Sequence, residues 1–193
     1  RSPRPDPETF PSWLPNKADL KRDGLKLEVL IKNSRDLTEE DTGKNVRFFH
    51  IDGGHNCDEA LDDLRTAARS LVDGGCIALD DPFRIEWPGV TEALVRFLDE
   101  APEYQLVAVG FNKAMVVKAD VAGDFAAKVR DVETRKRYGL GYPWSLKQLP
   151  FVDRDVDILF LPQFRLRKSM GHRLAQAEKS LATFFGRTFR KGE

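Results

Sequence analysis

The sequence predicts an α/β fold with parallel strands, and three observations carry that prediction. Two short apolar runs, Phe48-Phe49-His50-Ile51 and Cys76-Ile77-Ala78-Leu79, each run directly into acidic residues: Asp52 after the first, Asp80 and Asp81 after the second. Between them, Ala60, Leu61, Leu64, Ala67, Ala68, Leu71 and Val72 recur at helical spacing. Strand, helix and strand then form one β-α-β unit, which places Asp52, His55, Asp80 and Asp81 at the same edge of a parallel sheet. Ligands of open α/β sheets bind at the carboxyl ends of their strands.

At 193 residues, 41% hydrophobic and 32% charged, the chain can bury one ordinary core. Thirty-one basic side chains balance 31 acidic ones, so no overall field favours nucleic acid. The two cysteines, Cys57 and Cys76, are too few for a disulfide framework or a multi-cysteine zinc site, and they suit a reducing cytoplasm. No apolar run reaches the roughly 20 residues of a spanning helix, and no signal-peptide core is present. The chain begins with Arg1, so residue 1 need not be the biological start.

In chain order, five prolines within residues 1–16 predict an extended arm. A core over residues 17–118 opens with a short helix at 17–23 and a strand over 25–31 closed by Asn33-Ser34. The strand at 46–51 leads to a helix capped by Asn56, with Glu59 at the capping-box position and Gly74-Gly75 as its stop. A strand at 76–80 follows. Pro88 then opens a helix whose apolar face is Val90, Ala93, Leu94, Phe97 and Leu98. Tyr104–Val109 and Ala114–Val117 read as a hairpin through Gly110-Phe111-Asn112-Lys113.

Residues 119–193 read as a C-terminal extension. Its first part, 122–138, is charged and helical. The aromatic stretch 138–144 is either a lid or a cap on the core, and 156–161 is either an added strand or a packed loop. From Gln163 onward basic residues dominate, with Leu166, Met170, Leu174, Ala177 and Leu181 at near-helical spacing. Such a helix suits an anionic membrane surface, an acidic partner, its own domain or a twin subunit.

Three carboxylates at one edge repel one another unless a positive charge sits among them, and a hard divalent cation such as Mg²⁺ is the simplest compensation. Asp52, Asp80 and Asp81 are therefore candidate metal ligands. Against this stands a plainer reading in which Asp80 caps a turn before Pro82 and Asp81 faces solvent. His55, three residues beyond Asp52, is placed to take a proton near neutral pH, or simply orders its turn. His50 is expected to pack against the sheet, and His172 has no visible partner.

The run Ile51-Asp52-Gly53-Gly54-His55, with Glu59-Ala60, Asp62-Asp63-Leu64 and Leu71 through Asp81, resembles the second half of a class I S-adenosylmethionine-dependent methyltransferase. Within that family it is most similar to the metal-dependent sugar O-methyltransferases that act on macrolide and aminocoumarin antibiotics. The resemblance implies a Rossmann-like sheet, S-adenosylmethionine and a divalent cation on Asp52, Asp80 and Asp81. It also implies His55 as general base and a hydroxylated, glycosyl-bearing acceptor. By the same carry-over, Asn33 and Ser34 approach the adenine, while Gly53 and Gly54 line the methionine end.

One family feature is missing from the sequence. No glycine-rich loop follows a first strand, and the only Gly-x-Gly is Gly139-Leu140-Gly141. The sheet is therefore expected to lack its first two strands, so that the sequence is part of a longer chain or another segment completes the sheet. Two other readings compete. One is a metal-dependent hydrolase using the same Asp/His cluster, and the other is a non-catalytic, partner-binding subunit with a methyltransferase fold.

Overall fold

The computed structural model describes residues 30–152 and 154–162. The expected arm, the helix at 17–23 and the basic tail lie outside the described residues, as does most of the strand at 25–31. Leu30 and Ile31, the end of that expected strand, are exposed and belong to no strand.

After a 3-10 turn at Ser34–Asp36, the elements are α1 (Glu39–Thr42), β1 (Val46–Ile51), α2 (Cys57–Ser70), β2 (Leu71–Asp80) and α3 (Pro88–Glu100). They continue with β3 (Tyr104–Gly110), β4 (Lys113–Lys118), α4 (Ala122–Arg130), α5 (Val132–Arg137), β5 (Ser145–Phe151) and β6 (Arg154–Phe160). The six strands form one sheet in the order β1-β2-β4-β3-β6-β5. β1 is parallel to β2 and β3 is parallel to β6, while β4 lies antiparallel to both β2 and β3. The carboxyl ends of β1, β2, β3 and β6 therefore share one edge. This is a mixed α/β architecture of the Rossmann-like kind. No described helix is long and apolar enough to cross a membrane.

Helices α2 and α3 cover one face. Leu64, Ala67, Ala93 and Leu94 are fully buried there against Ile77, Leu79 and Val116, and Phe97 stacks obliquely on Tyr104. These are the expected apolar stripes, and their burial supplies most of the folding drive. The Tyr104 hydroxyl donates to the Ala68 carbonyl at 2.9 Å, which ties α2 to β3. On the opposite face, α4 packs Ala122 and Phe125 onto Cys76, Val107 and Val117.

Two elements differ from expectation. The helix after Asn56 stops at Ser70 rather than at Gly74-Gly75. Ser70 donates its hydroxyl to the Thr66 carbonyl at 2.9 Å, and Leu71 turns extended to pair with Val46. The ladder next pairs Phe48 with Cys76, so residues 72–75 bulge out of register. Gly74 makes this possible with φ +73°, and a side chain at Gly75 would collide with Leu71. The glycines thus shape a strand entry instead of capping a helix. The other difference is β5, whose mostly exposed residues pair with β6 to extend the sheet beyond the hairpin. Of the two readings of 156–161, the strand is the one formed, as part of β6.

The hairpin itself turns on Phe111 and Asn112, both in the left-handed region with φ 53° and 60°. That geometry matches the twist of its flanking strands.

Candidate active site at the carboxyl edge

Ile51 pairs with Leu79, so the chain leaves β1 at Asp52 beside the point where β2 ends at Asp80. Beyond Asp52 the Gly53-Gly54 turn carries the chain into α2. The Asn56 side chain accepts from the Glu59 amide at 2.9 Å, which is the expected cap. Gly54 packs so closely on Glu59 that an added Cβ would overlap its carboxylate, and at Gly53 a Cβ would stand 2.6 Å from the Asp63 carboxylate.

Beyond β2, Asp81 adopts φ 54° and its amide donates to the Asn112 carbonyl at 3.0 Å, pinning this turn to the hairpin. The twist turns the Asp81 carboxylate, only 8% exposed as a residue, toward His55. His55 Nε2 lies 3.4 Å from Asp81 Oδ2, and its ring stacks on Trp87 with centroids 4.2 Å apart. Gly89, at the start of α3, lets this helix press against the histidine loop, because a Cβ there would sit 2.8 Å from the Cys57 nitrogen and 2.9 Å from the His55 carbonyl oxygen. A half-buried histidine is thus held between an indole and a buried carboxylate. Asp81 can orient the imidazole and stabilise the imidazolium that forms when it takes a proton.

Asp80 has other partners. Lys113 Nζ stands 2.7 Å from its Oδ1, and the Asp81 amide donates to the same oxygen at 3.0 Å. Burial works against ionisation of Asp80, but Lys113, the Asp81 amide and the nearby His50 outweigh it and hold the carboxyl below its ordinary value. Asn112 donates its side-chain amide to Asp81, and Arg84 Nη1 approaches the same carboxylate at 3.7 Å.

Positive charge therefore does sit among the carboxylates, as their repulsion requires, but the chain supplies it. Asp52 is exposed, and among the described residues no group of three or more His, Cys, Asp and Glu side chains is placed to hold a metal ion. Arranged this way, Asp52, Asp80 and Asp81 do not fit the divalent cation implied by the resemblance.

The residues expected to meet a cofactor separate into two groups. Ser34 and Gly53 line a cavity of about 210 Å³ together with Asp52 and Asp63, and Gly54 lies outside its lining. Burial pushes the Asp63 carboxyl up against the pull of Ser34, with Asp62 and Glu59 adding to the rise and Arg35 opposing it. Asn33 instead accepts from the Arg35 amide at 3.1 Å and caps the 3-10 turn. The cavity is smaller than the roughly 300 Å³ of a small-molecule site, and its hydroxyl and carboxylate suit one polar end of a cofactor. Sequence reasoning missed Lys113, Asn112, Trp87 and Asp63. Only Lys113 had a signal in the sequence, since a hairpin laid against β2 places its return strand opposite Asp80.

Comparison with known families adds an independent finding. Residues 5–82 match a family model described as a methyltransferase domain. This stretch is similar to methyltransferase domains. It spans under half of the 193-residue chain, yet its described part contains β1, α2 and β2 and every candidate residue expected from the sequence. A methyltransferase domain of the class I type implies use of S-adenosylmethionine. Neither the curated proteins nor the solved structures gave a match.

Proposed function

We propose that the protein is an S-adenosylmethionine-dependent O-methyltransferase acting on a hydroxyl of a sugar or glycosylated small molecule, with His55 as general base. The observation that carries this reading is the His55–Asp81 pair at 3.4 Å, inside a stretch similar to methyltransferase domains. When bound, S-adenosylmethionine supplies an electrophilic methyl group on a positively charged sulfur. An alcohol is a poor nucleophile until its proton is removed, which is the task assigned to His55. With Nε2 carrying its proton toward Asp81, the lone pair on Nδ1 takes the hydroxyl proton as the oxygen attacks. Asp81 then balances the new positive charge on the ring. The stacked Trp87 keeps the imidazole from rotating, so little orientation is lost before reaction. Ser34, Gly53 and Gly54 are the residues assigned to the cofactor.

The resemblance also carries a divalent cation on Asp52, Asp80 and Asp81. Because Asp80 and Asp81 are compensated by Lys113, Asn112 and Arg84, the proposed chemistry runs through His55 without a metal step. Transfer of labelled methyl from S-adenosylmethionine to a panel of aryl glycosides tests the reading, with release of the aglycone as the sign of a hydrolase. Turnover is expected to persist in EDTA. Abolition by EDTA and restoration by Mg²⁺ would show that the carboxylates regroup around an ion.

A further inference from the structure

Among the described residues, the sheet face opposite α2 and α3 is only partly covered. There α4 covers β3 and β6 and reaches Cys76 of β2, whereas Phe48 of β1 is 58% exposed on this face. Between β1 and helices α4 and α5 runs a groove of about 890 Å³, within the range of small-molecule sites. Its floor is apolar: Phe48, Ala78, Ala108, Met115 and Leu159 from five neighbouring strands. Phe111 and Lys113 line it as well, and they flank Asn112, which holds Asp81 at the candidate active site.

The charge of this groove is one-sided. In a chain with equal numbers of acidic and basic residues, the described lining contains Lys113, Lys128 and Arg135 but no aspartate or glutamate. Lys113 is neutralised by Asp80. Among the described residues neither Lys128 nor Arg135 forms an ion pair with a carboxylate. Lys128 Nζ lies 5.8 Å from the Phe125 ring centroid, directly over an apolar wall. Arg135 is fixed by Nη1, which donates to the Val129 and Arg130 carbonyls at 2.8 and 2.7 Å.

Resting on the methyltransferase reading above, we propose that this groove seats the body of the methyl acceptor, and that the acceptor is an amphipathic anion. A flat apolar scaffold lies on the strand floor, and an anionic group faces Lys128 and Arg135. The acceptor hydroxyl reaches the carboxyl edge past Phe111. Charge complementarity selects this occupant over the chain's own basic segment after Gln163, which would bring Arg165, Arg167 and Lys168 toward cations of the same sign.

Two probes differing in one charge test the proposal: para-nitrophenyl glucuronide and para-nitrophenyl glucoside, titrated calorimetrically into the full chain at low salt. The glucuronide is expected to bind about fivefold more tightly, the size of one well-placed surface ion pair. Exposed Lys128→Glu should erase that preference, and Met115→Trp, which fills the floor, should weaken both ligands. Equal binding, a preference that survives Lys128→Glu, or binding of neither probe overturns the proposal. If the glycosides bind in the expected pattern but accept no methyl group, the groove stands and the methyl-transfer reading fails. If they are methylated at rates indifferent to both substitutions, that reading stands and the groove assignment falls.

Discussion

Asp81 is the residue on which the candidate site turns. In an ordinary extended conformation the side chain after Asp80 would follow the strand's alternation, but φ 54° swings it under His55. Sequence alone places both residues at one edge, because each follows an apolar strand. It does not reveal that they face each other, because a positive φ at an aspartate is set by the Asn112 carbonyl across the hairpin.

Asp63 is a second residue whose role only the packing shows, since its spacing in α2 reads as polar surface while the cavity beneath Gly53 buries it. A carboxyl whose pKa is raised in the fold penalises the folded state wherever it is ionised. That penalty is full above the folded-state pKa, shrinks as pH falls through it, and is gone below the ordinary carboxylate value of about 3.9. Asp63→Asn should therefore raise the thermal midpoint at about pH 8 and give no gain at about pH 3. A scan of melting temperature against pH for both proteins checks the sign.

Among the elements, the contact between the start of α3 and the histidine loop is the most sensitive. Backbone atoms of His55 and Cys57 occupy the space where a side chain at position 89 would go, and backbone does not yield as a flexible side chain would. Gly89→Ala is predicted to cost about 1–3 kcal/mol in urea unfolding, as overpacking does, and to lower turnover by tilting His55 away from Asp81.

The helices and the first β-α-β unit are legible in the sequence because their apolar residues keep one period throughout. The entry to β2 is not. Leu71 and Val72 continue the helical spacing past Ser70, and periodicity cannot say where pairing with Val46 takes over. β5 escapes for a different reason: with Lys147, Gln148 and Pro150 on an exposed edge strand, it has no buried face to leave a pattern. Of the candidate site, the clustering of acids and His55 is legible. Their compensation by Lys113 is signalled only through the hairpin's return strand, because the pairing of Asp80 with Lys113 joins strands far apart in sequence.

At the scale of the whole molecule, one buried ion pair fastens the added hairpin to the rest. Asp157 of β6 is completely buried, and Arg130 of α4, itself 46% exposed at the side chain, donates Nε to both of its carboxylate oxygens, at 3.0 and 2.8 Å. Removing the cation strands a charge in the interior, whereas removing the charge leaves a solvated arginine. Arg130→Met is therefore expected to destabilise by about 3 kcal/mol in chemical denaturation, and Asp157→Asn by less. The reverse order would mean that the pair contributes through packing alone.

The same sheet that buries Asp157 carries the open groove and the His55 edge, so acceptor seating and proton removal share one rigid support. The central claim is that His55 removes the acceptor proton with Asp81 behind it. The most direct measurement is the rate of methyl transfer from S-adenosylmethionine to an aryl glycoside by the full chain and by His55→Ala, together with S-adenosylmethionine affinity by calorimetry. The account predicts a loss of turnover of about 10²- to 10⁴-fold with cofactor affinity unchanged. Methyl transfer by His55→Ala at the wild-type rate would contradict it.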